Sequence, residues 1–236
     1  PFVGTGTFIV RLLQNSRLDR VSIKNKFAED IHANEIILLA YYIAGITIES
    51  TYQDIFKENK YKPFDGIVLT DTFHLYEQER DMIANLLPDN SKKRDKQKKS
   101  DITVVIGNPP YSRQQKSKND DAQNVSYPNL DQSIMSSYAK YSNNTNNFAL
   151  YDSYIRAFRW ASDRIKDKGI ISFITGNGWI EKSSMKGLRY CFKKEFSKIY
   201  VVNLRGDIRK DILNKGKSFE GENVFGQGSM TGISIV

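Results

Sequence analysis

The sequence is poor in the residues that build cross-links and metal centres. It contains one cysteine, Cys191, and two histidines, His32 and His74, in 236 residues. A single cysteine cannot form an internal disulfide, and it cannot supply a thiolate cluster for a metal. Neither histidine lies in a ligand-like grouping, so we predict no metal site and no catalytic histidine. We expect Cys191 to be a small buried or half-buried hydrophobic side chain.

Long apolar segments are also missing. No run approaches the roughly 20 apolar residues that span a bilayer, and the start lacks the basic-then-apolar profile of a secretory signal. We therefore expect a soluble, cytoplasmic protein with no membrane partner. An apolar content of 39% in a chain of this length is consistent with one compact domain that carries polar insertions.

Positive charge is in excess. The net charge is +8, from 35 basic and 27 acidic residues, and the pI is about 9.3. This balance favours a polyanionic partner without identifying it. The excess is concentrated in residues 92–99, a polar run without apolar periodicity that predicts a mobile loop. Such a loop is either a phosphate-contacting arm or a solvated segment that keeps the protein soluble, and the sequence favours neither.

Strand and helix patterns alternate along the chain, which predicts an α/β fold with a doubly wound, mostly parallel sheet. The predicted helices cover residues 7–14, 37–44 and 150–166, and the predicted strands cover residues 30–36, 66–71, 102–107, 169–174, 198–204 and 230–236. Residues 112–147 are rich in Ser, Asn, Gln and Lys. Part of this segment is predicted to be helical, and the rest is either a lid or a disordered loop.

The segment with the clearest chemistry is Asn108-Pro109-Pro110-Tyr111, which follows the apolar run at 102–107. Two prolines remove two N–H donors, so the carbonyls of Asn108 and Pro109 are left to accept hydrogen bonds from a ligand. With the Asn108 amide they form an acceptor cluster for an –NH₂ group, and Tyr111 offers a face on which its ring can stack. A proline pair is also an ordinary way to end a strand, so this motif alone is ambiguous.

A second motif, Phe2-Val3-Gly4-Thr5-Gly6, precedes the helical pattern at 7–14. Glycines let a ligand approach the backbone, and a helix N-terminus presents unpaired N–H groups to a carboxylate or phosphate. A lone Gly-x-Gly is weak evidence. In this order, followed by Asn-Pro-Pro-Tyr, it predicts a cofactor turn and an amine-binding turn in one protein.

With these two motifs the chain resembles the S-adenosylmethionine-dependent DNA methyltransferases of the gamma group that make N6-methyladenine. It is most similar to the methyltransferase part of single-chain Type ISP restriction-modification enzymes, in which helicase and nuclease regions lie on the same polypeptide. The further segments that carry this resemblance are Ala33–Ile36, Leu69–Phe73, Leu150–Tyr154 and Asn203–Asp207. The resemblance implies a Rossmann-like fold, S-adenosylmethionine as cofactor, double-stranded DNA as partner and an adenine flipped out of the duplex.

Polar residues end three of the predicted strands, where ligands bind in such sheets. Glu35 ends one strand, and its carboxylate suits a ribose diol. Asp71 ends the next, and the resemblance implies that it receives the adenine amino group of the cofactor. The resemblance also implies that Ile36 and Phe73 sandwich the adenine ring. Acidic residues at strand ends are common helix caps too, so Glu35 and Asp71 each keep a structural alternative.

The chain begins inside the cofactor motif, without the strand that normally precedes it. We therefore expect either that residues 1–236 are the catalytic domain of a longer polypeptide, without its N-terminal helical region and its target-recognition domain, or that the chain folds poorly alone. Two alternatives to a DNA adenine methyltransferase stay open. One is an enzyme of the same fold that methylates protein glutamine or RNA, and the other is a module that binds cofactor or DNA and has lost catalysis.

Overall fold

In the computed structural model the chain divides into two units, Pro1–Ile102 and Thr103–Val236. The structure describes residues 1–15, 17–57, 60–77, 87–110, 126–142, 148–205 and 232–236. The first unit contains, in chain order, α1 (Thr7–Leu13), α2 (Arg20–Asn25), a π-helical turn (Lys26–Asp30), β1 (Ala33–Glu35), α3 (Leu38–Phe56), β2 (Ile67–Leu69), a 3₁₀ turn (Phe73–Leu75) and α4 (Pro88–Lys99).

Strands β1 and β2 form a parallel pair, with Glu35 opposite Leu69. The core of the unit packs around this pair, and among its fully buried side chains are Leu13, Phe27 and Ile48. Helix α3 supplies one face of that core and ends at Lys57, which adopts a left-handed conformation (φ 53°) and donates its N–H to the Gln53 carbonyl. Helix α3 begins one residue after the start of the predicted helix, but it continues to Phe56 rather than ending at residue 44.

Residues 92–99 are helical, so the prediction of a mobile loop is wrong. Helix α4 begins at Pro88, a position at which a backbone N–H would have no partner within the helix, so proline is well tolerated there. The last turn of α4 carries lysines that complement the helix dipole. Its buried positions are Asn90, Arg94 and Gln97, at helical spacing. Because polar residues form this buried stripe, no apolar periodicity marks the helix in the sequence.

The second unit contains a four-stranded mixed sheet of order β3-β4-β6-β5. Its elements are β3 (Val104–Gly107), α5 (Pro128–Ile134), a π-helical turn (Met135–Ala139), a 3₁₀ turn (Phe148–Tyr151), α6 (Ser153–Arg164), β4 (Ile170–Gly176), α7 (Gly178–Glu181), a 3₁₀ turn (Ser183–Met185), α8 (Lys186–Glu195), β5 (Val202–Arg205) and β6 (Ile233–Ile235). Strand β3 is parallel to β4, and β6 is antiparallel to both β4 and β5.

An aromatic cluster joins the helices of the second unit to its sheet. The Phe158 ring on α6 lies 5.6 Å from Phe173 on β4, 5.7 Å from Trp179 and 5.0 Å from Phe192 on α8, measured between ring centroids. These residues are almost completely buried. Large aromatic side chains contribute much of the burial that stabilises a core, so this cluster fixes where α6 and α8 lie against β4.

The α/β class is confirmed, and every predicted strand overlaps an observed one, although β4 extends two residues and β5 one residue past the predicted ends and the other observed strands are shorter than predicted. In the segment 112–147 the predicted helical part is present, with Leu130, Ile134 and Tyr138 completely buried, whereas Tyr141 is exposed. The remainder of that segment lies outside the described residues. Cys191 is buried, as predicted. Among the helices of the described ranges, none has the length and apolarity to cross a membrane.

Candidate functional site

The Gly-x-Gly segment forms a tight turn with unusual backbone angles. Gly4 (φ 57°) and Gly6 (φ 91°) are left-handed, and so is Phe2 (φ 55°). The Gly6 N–H donates to the Val3 carbonyl (3.1 Å), and Gly6 then caps α1. A Cβ on Gly6 would lie 3.3–3.4 Å from α3, whereas a Cβ on Gly4 would meet no atom within 4 Å. Gly6 therefore allows α3 to pack closely against the turn, and the backbone at Gly4 is open to a ligand.

Glu35 ties this turn to the sheet. Its Oε2 accepts from the Gly4 N–H (2.8 Å), and its Oε1 accepts from the N–H groups of Ile36 (3.0 Å) and Ile37 (2.9 Å). The residue is 7% exposed. A carboxylate offers about four acceptor positions, so three are used by backbone and one, on Oε2, is left for a ligand donor. Glu35 thus holds the backbone turn that precedes α3, and it is also a candidate ligand-binding group.

Asp71 lies at the same sheet edge as Glu35. The Thr70 N–H donates to the Glu35 carbonyl (2.8 Å), which continues the β1–β2 ladder to the residue before Asp71. Asp71 Oδ1 accepts from the Phe73 N–H (2.9 Å) and so begins the 3₁₀ turn. Glu35 and Asp71 therefore lie at the carboxyl ends of neighbouring parallel strands, and each also makes a local structural bond.

Apolar side chains lie beside the glycine turn. The Phe73 ring is buried and lies 5.4 Å from the Phe2 ring, with 59° between the ring planes. Ile36 is 58% exposed, and Thr5 is also exposed. Phe2 and Ile36 therefore offer apolar surface beside the Gly4 turn and Glu35, and the buried Phe73 ring packs against Phe2.

Asn90 is a supporting residue that the sequence did not reveal. Its Oδ1 accepts from the Leu69 N–H (2.8 Å), and its Nδ2 donates to the Leu69 carbonyl (3.0 Å). One side chain on α4 thus pairs with the outer edge of β2 as a neighbouring strand would. This bond pair holds the strand end that precedes Asp71.

The amine-binding motif lies in the second unit. Strand β3 ends at Gly107, and then follow Asn108, which is half-buried, Pro109, which is buried, and Pro110, which is exposed. Tyr111 lies outside the described residues. The polar turn therefore follows the carboxyl end of a strand that is parallel to β4, as the sequence predicts.

The described residues contain no group of three or more His, Cys, Asp or Glu side chains that could hold a metal ion. In the first unit the candidate groups are backbone N–H groups, two carboxylates and apolar rings. In the second unit they are an amide and the neighbouring carbonyls.

Residues 15–208 match the model of the family described as Eco57I restriction-modification methylase. No curated protein matches the chain. The chain is similar to solved structures of much longer proteins and spans only about a fifth of their length. All of it aligns with 20% of a nuclease-deletion mutant of the Type ISP restriction-modification enzyme LlaGI, in complex with a DNA substrate mimic, at 44% identity and a TM-score of 0.91.

Two further structures are similar to the whole chain. One is the ATP-dependent Type ISP restriction-modification enzyme LlaBIII bound to DNA, at 46% identity, a TM-score of 0.91 and 16% coverage of that chain. The other is the DrdV–DNA complex, at 33% identity, a TM-score of 0.88 and 22% coverage. With a family match over most of its length and relatives of this similarity, the chain belongs to the Eco57I restriction-modification methylase family.

Proposed function

We propose that residues 1–236 are the catalytic domain of a DNA methyltransferase in a restriction-modification system, which transfers a methyl group from S-adenosylmethionine to N6 of adenine. The observation that carries the proposal is the Gly4 turn held by the Glu35 carboxylate at the ends of two parallel strands. Family membership and similarity to three DNA-bound enzymes support DNA as the substrate.

The residues of the first unit fit the proposed cofactor. Gly4 leaves open space beside its backbone, and Glu35 Oε2 keeps one acceptor position for a ribose hydroxyl. Asp71 is the proposed acceptor for the adenine amino group, and Ile36 and Phe73 are the proposed apolar contacts of its ring. Phe2, Thr5 and Gly6 complete the turn. When bound, S-adenosylmethionine supplies a methyl group that its sulfonium charge activates.

Asn108 and Pro109 are the proposed catalytic acceptors. The lone pair of adenine N6 is delocalised into the ring, which makes the nitrogen a poor nucleophile. Accepting one N6 hydrogen on Asn108 Oδ1 and the other on the Pro109 carbonyl favours a pyramidal nitrogen with a localised lone pair. No general base is required before transfer, because the product ammonium is acidic and loses its proton afterwards to water or to the same acceptors.

Tyr111 is the proposed stacking surface for an adenine flipped out of the duplex, because N6 is not accessible within stacked base pairs. Tyr111→Phe should keep this stack, whereas Tyr111→Ala should weaken DNA binding by about 1–3 kcal/mol. The comparison of the two variants in a methyl-transfer assay at limiting DNA tests the assignment. Equal activity in both would contradict it.

The proposed fold is a Rossmann-like, mostly parallel, doubly wound sheet. The parallel pair β1–β2 and the parallel pair β3–β4 are components that such a sheet contains, and β6 is its antiparallel member. Helicase and nuclease regions on the same longer polypeptide belong to the same proposal, because the first two relatives are Type ISP restriction-modification enzymes.

The test is transfer of labelled methyl from S-adenosylmethionine to plasmid DNA by the full-length protein, followed by nucleoside analysis. We expect N6-methyladenine with the wild type and a loss of at least a hundredfold with Asn108→Ala, because an electrostatic acceptor contributes that much to catalysis. Asn25→Ala, an exposed asparagine at the end of α2, is the matched control and should retain activity.

Labelled DNA that carries another methylated base would contradict the adenine assignment. Cofactor binding by calorimetry without any labelled DNA would refute DNA as the substrate. Labelling of protein or RNA in the same reaction would then identify the acceptor class.

A further inference from the structure

The carboxyl edge of the sheet in the second unit carries polar residues that the proposed chemistry does not use. Strands β4 and β5 are both antiparallel to β6, so they are parallel to each other. Their carboxyl ends therefore lie at one edge, the edge at which β3 delivers Asn108. Asn177 follows β4, and Asn203 and Arg205 lie at the end of β5.

These residues form a hydrogen-bonded cluster. Asn177 Nδ2 donates to Asn203 Oδ1 (3.3 Å), and the Arg205 N–H donates to the same oxygen (2.9 Å). The bonds orient both amides. Within the described part of the chain, Asn177 Oδ1 has no donor, Asn203 Nδ2 has no acceptor and the exposed Arg205 guanidinium has no carboxylate partner. The cluster thus presents one acceptor, one donor and one positive charge.

Hydrogen bonds of neighbouring residues hold the turn that carries Asn177. Trp179 Nε1 donates to Thr175 Oγ1 (3.2 Å), which pairs with Ser234 Oγ (3.3 Å), and all three side chains are buried. Arg189 Nη1 donates to the Trp179 carbonyl (2.8 Å) and to the next turn. A site held this firmly is preorganised for binding.

Two backbone features add to this organisation. The Asn177 N–H donates to the Gly232 carbonyl (2.8 Å), and a Cβ on Gly232 would lie 2.2 Å from Asn177 Nδ2, so the amide packs directly on that backbone. Arg205 adopts a left-handed conformation (φ 63°), which is costly for a residue other than glycine. The chain accepts this strain at the residue whose backbone N–H donates to Asn203 Oδ1.

The strand register gives the offset, along the strand direction, between Asn177 and the amine-binding turn. Gly107, the residue before Asn108, pairs with Phe173, and Asn177 comes four residues after Phe173. With a rise of about 3.3 Å per residue, Asn177 lies roughly 10 Å beyond the level of Asn108. Nucleotides of one DNA strand are spaced by about 3.4 Å along the helix axis, so roughly 10 Å corresponds to about three nucleotides.

We propose that Asn177, Asn203 and Arg205 form a contact site for DNA nucleotides that flank the methylated base. Arg205 and Asn203 Nδ2 bind phosphate oxygens, which are acceptors only. Asn177 Oδ1 accepts from a base amine, because phosphate offers no donor. The inference rests on the proposed function, and it assigns part of the DNA affinity to residues outside the amine-binding turn.

The experiment measures kcat and KM for plasmid DNA with the full-length protein at 50–200 mM salt. Arg205→Ala should raise KM about tenfold, leave kcat nearly unchanged and reduce the salt dependence by about one phosphate contact. Lys198→Ala is the matched control, because it removes one exposed positive charge of the same unit four residues before β5. Lys198→Ala should leave kcat, KM and the salt dependence unchanged.

Asn203→Asp separates DNA contact from structural support. The aspartate keeps the oxygen that accepts from Asn177 and Arg205, but it replaces the outward donor with a negative charge. We expect a rise in KM for DNA of at least tenfold, with unchanged cofactor affinity by calorimetry. A merely structural role predicts wild-type kinetics for this variant.

The outcomes separate this inference from the proposed function. If the wild type methylates DNA while Arg205→Ala and Asn203→Asp match Lys198→Ala in KM and salt dependence, the contact site is refuted and the methyltransferase assignment stands. If the wild type methylates no DNA, both fail. A tenfold rise in KM confined to the cluster variants supports the site.

Discussion

The role of Glu35 as the structural anchor of the glycine turn can be tested without any ligand. In Glu35→Gln the side chain keeps its shape but has one acceptor oxygen and one donor amide. If the oxygen stays with the N–H groups of Ile36 and Ile37, the amide faces the Gly4 N–H and that hydrogen bond is lost. A hydrogen bond to a charged group contributes about 1.5–3 kcal/mol, and the site is buried.

Amide hydrogen exchange measures this loss locally in the full-length protein. A loss of about 2 kcal/mol corresponds to roughly 30-fold faster exchange of the amides in the turn, if exchange follows local opening. Peptides covering residues 1–8 and 33–39 report the change. Glu29→Gln is the matched control, because Glu29 is 69% exposed in a surface ion pair with Lys96 and its loss should have little effect.

Exchange of the Gly4 region in Glu35→Gln at the wild-type rate would refute the anchoring role. The reasoning would also fail if Glu29→Gln accelerated exchange in the same peptides to the same extent.

Three further predictions concern stability and reactivity. Gly6→Ala should lower the free energy of unfolding by at least about 1 kcal/mol, because φ is 91° and a Cβ would press against α3. Gly45→Ala should raise the free energy of unfolding by about 0.5–1 kcal/mol, because Gly45 lies within α3 and a Cβ there would meet no other atom. Equal denaturation midpoints for the two variants would refute this. Arg159→Leu should cost about 1.5–3 kcal/mol in urea denaturation, because it removes charge-assisted hydrogen bonds to Glu195 and Asp163 (2.8 and 2.6 Å), whose carboxylates remain partly exposed to water; a cost below about 0.5 kcal/mol would contradict it. Burial raises the pKa of the Cys191 thiol, so at pH 8–9 it should react with a thiol reagent more slowly than free cysteine; native reactivity equal to that of the unfolded chain would refute it.

The same region of the second unit shows how burial sets ionisation. Burial raises the pKa of the Tyr138 hydroxyl, so that residue stays neutral. Burial by itself disfavours the charged form of Arg159, but Tyr138 and the carboxylates of Glu195 and Asp163 outweigh it and raise the pKa of the guanidinium. This interaction joins α6 to α8 and explains why breaking it should be costly.

The sequence predicted the elements whose patterns are local. Apolar runs marked the positions of the six strands observed in the described ranges, and the glycines marked the turn before α1. Helix α4 was missed because its buried stripe consists of Asn90, Arg94 and Gln97, and polar residues do not produce a hydrophobic period. Helix α8 was also missed, although Leu188, Cys191 and Phe192 stand at helical spacing. The length of α3 was underestimated because polar residues replace apolar ones on its outer face after Ile46.

Candidate site residues were predicted from motif chemistry, and their partners were not. That Glu35 and Asp71 end strands is visible in the sequence, but the three N–H groups bound to Glu35 depend on how the glycine turn meets the sheet. Asn90 was beyond prediction for the same reason, since its pairing with Leu69 joins residues 21 positions apart. Hydrogen bonds between distant segments are set by packing geometry, which no local pattern encodes.

By itself the sequence determined the alternation of strands and helices, the position of the glycine turn and the polar turn Asn108–Pro110 after a strand, because backbone stereochemistry and hydrophobic periodicity are local properties. The tertiary structure alone decided which acceptors remain available on Glu35 and that Asn177, Asn203 and Arg205 meet at one edge. The Glu35 bonds depend on how the glycine turn meets the β1–β2 pair, and the meeting of Asn177, Asn203 and Arg205 depends on the strand order β3-β4-β6-β5, in which residues far apart in the chain become neighbours through long-range pairing.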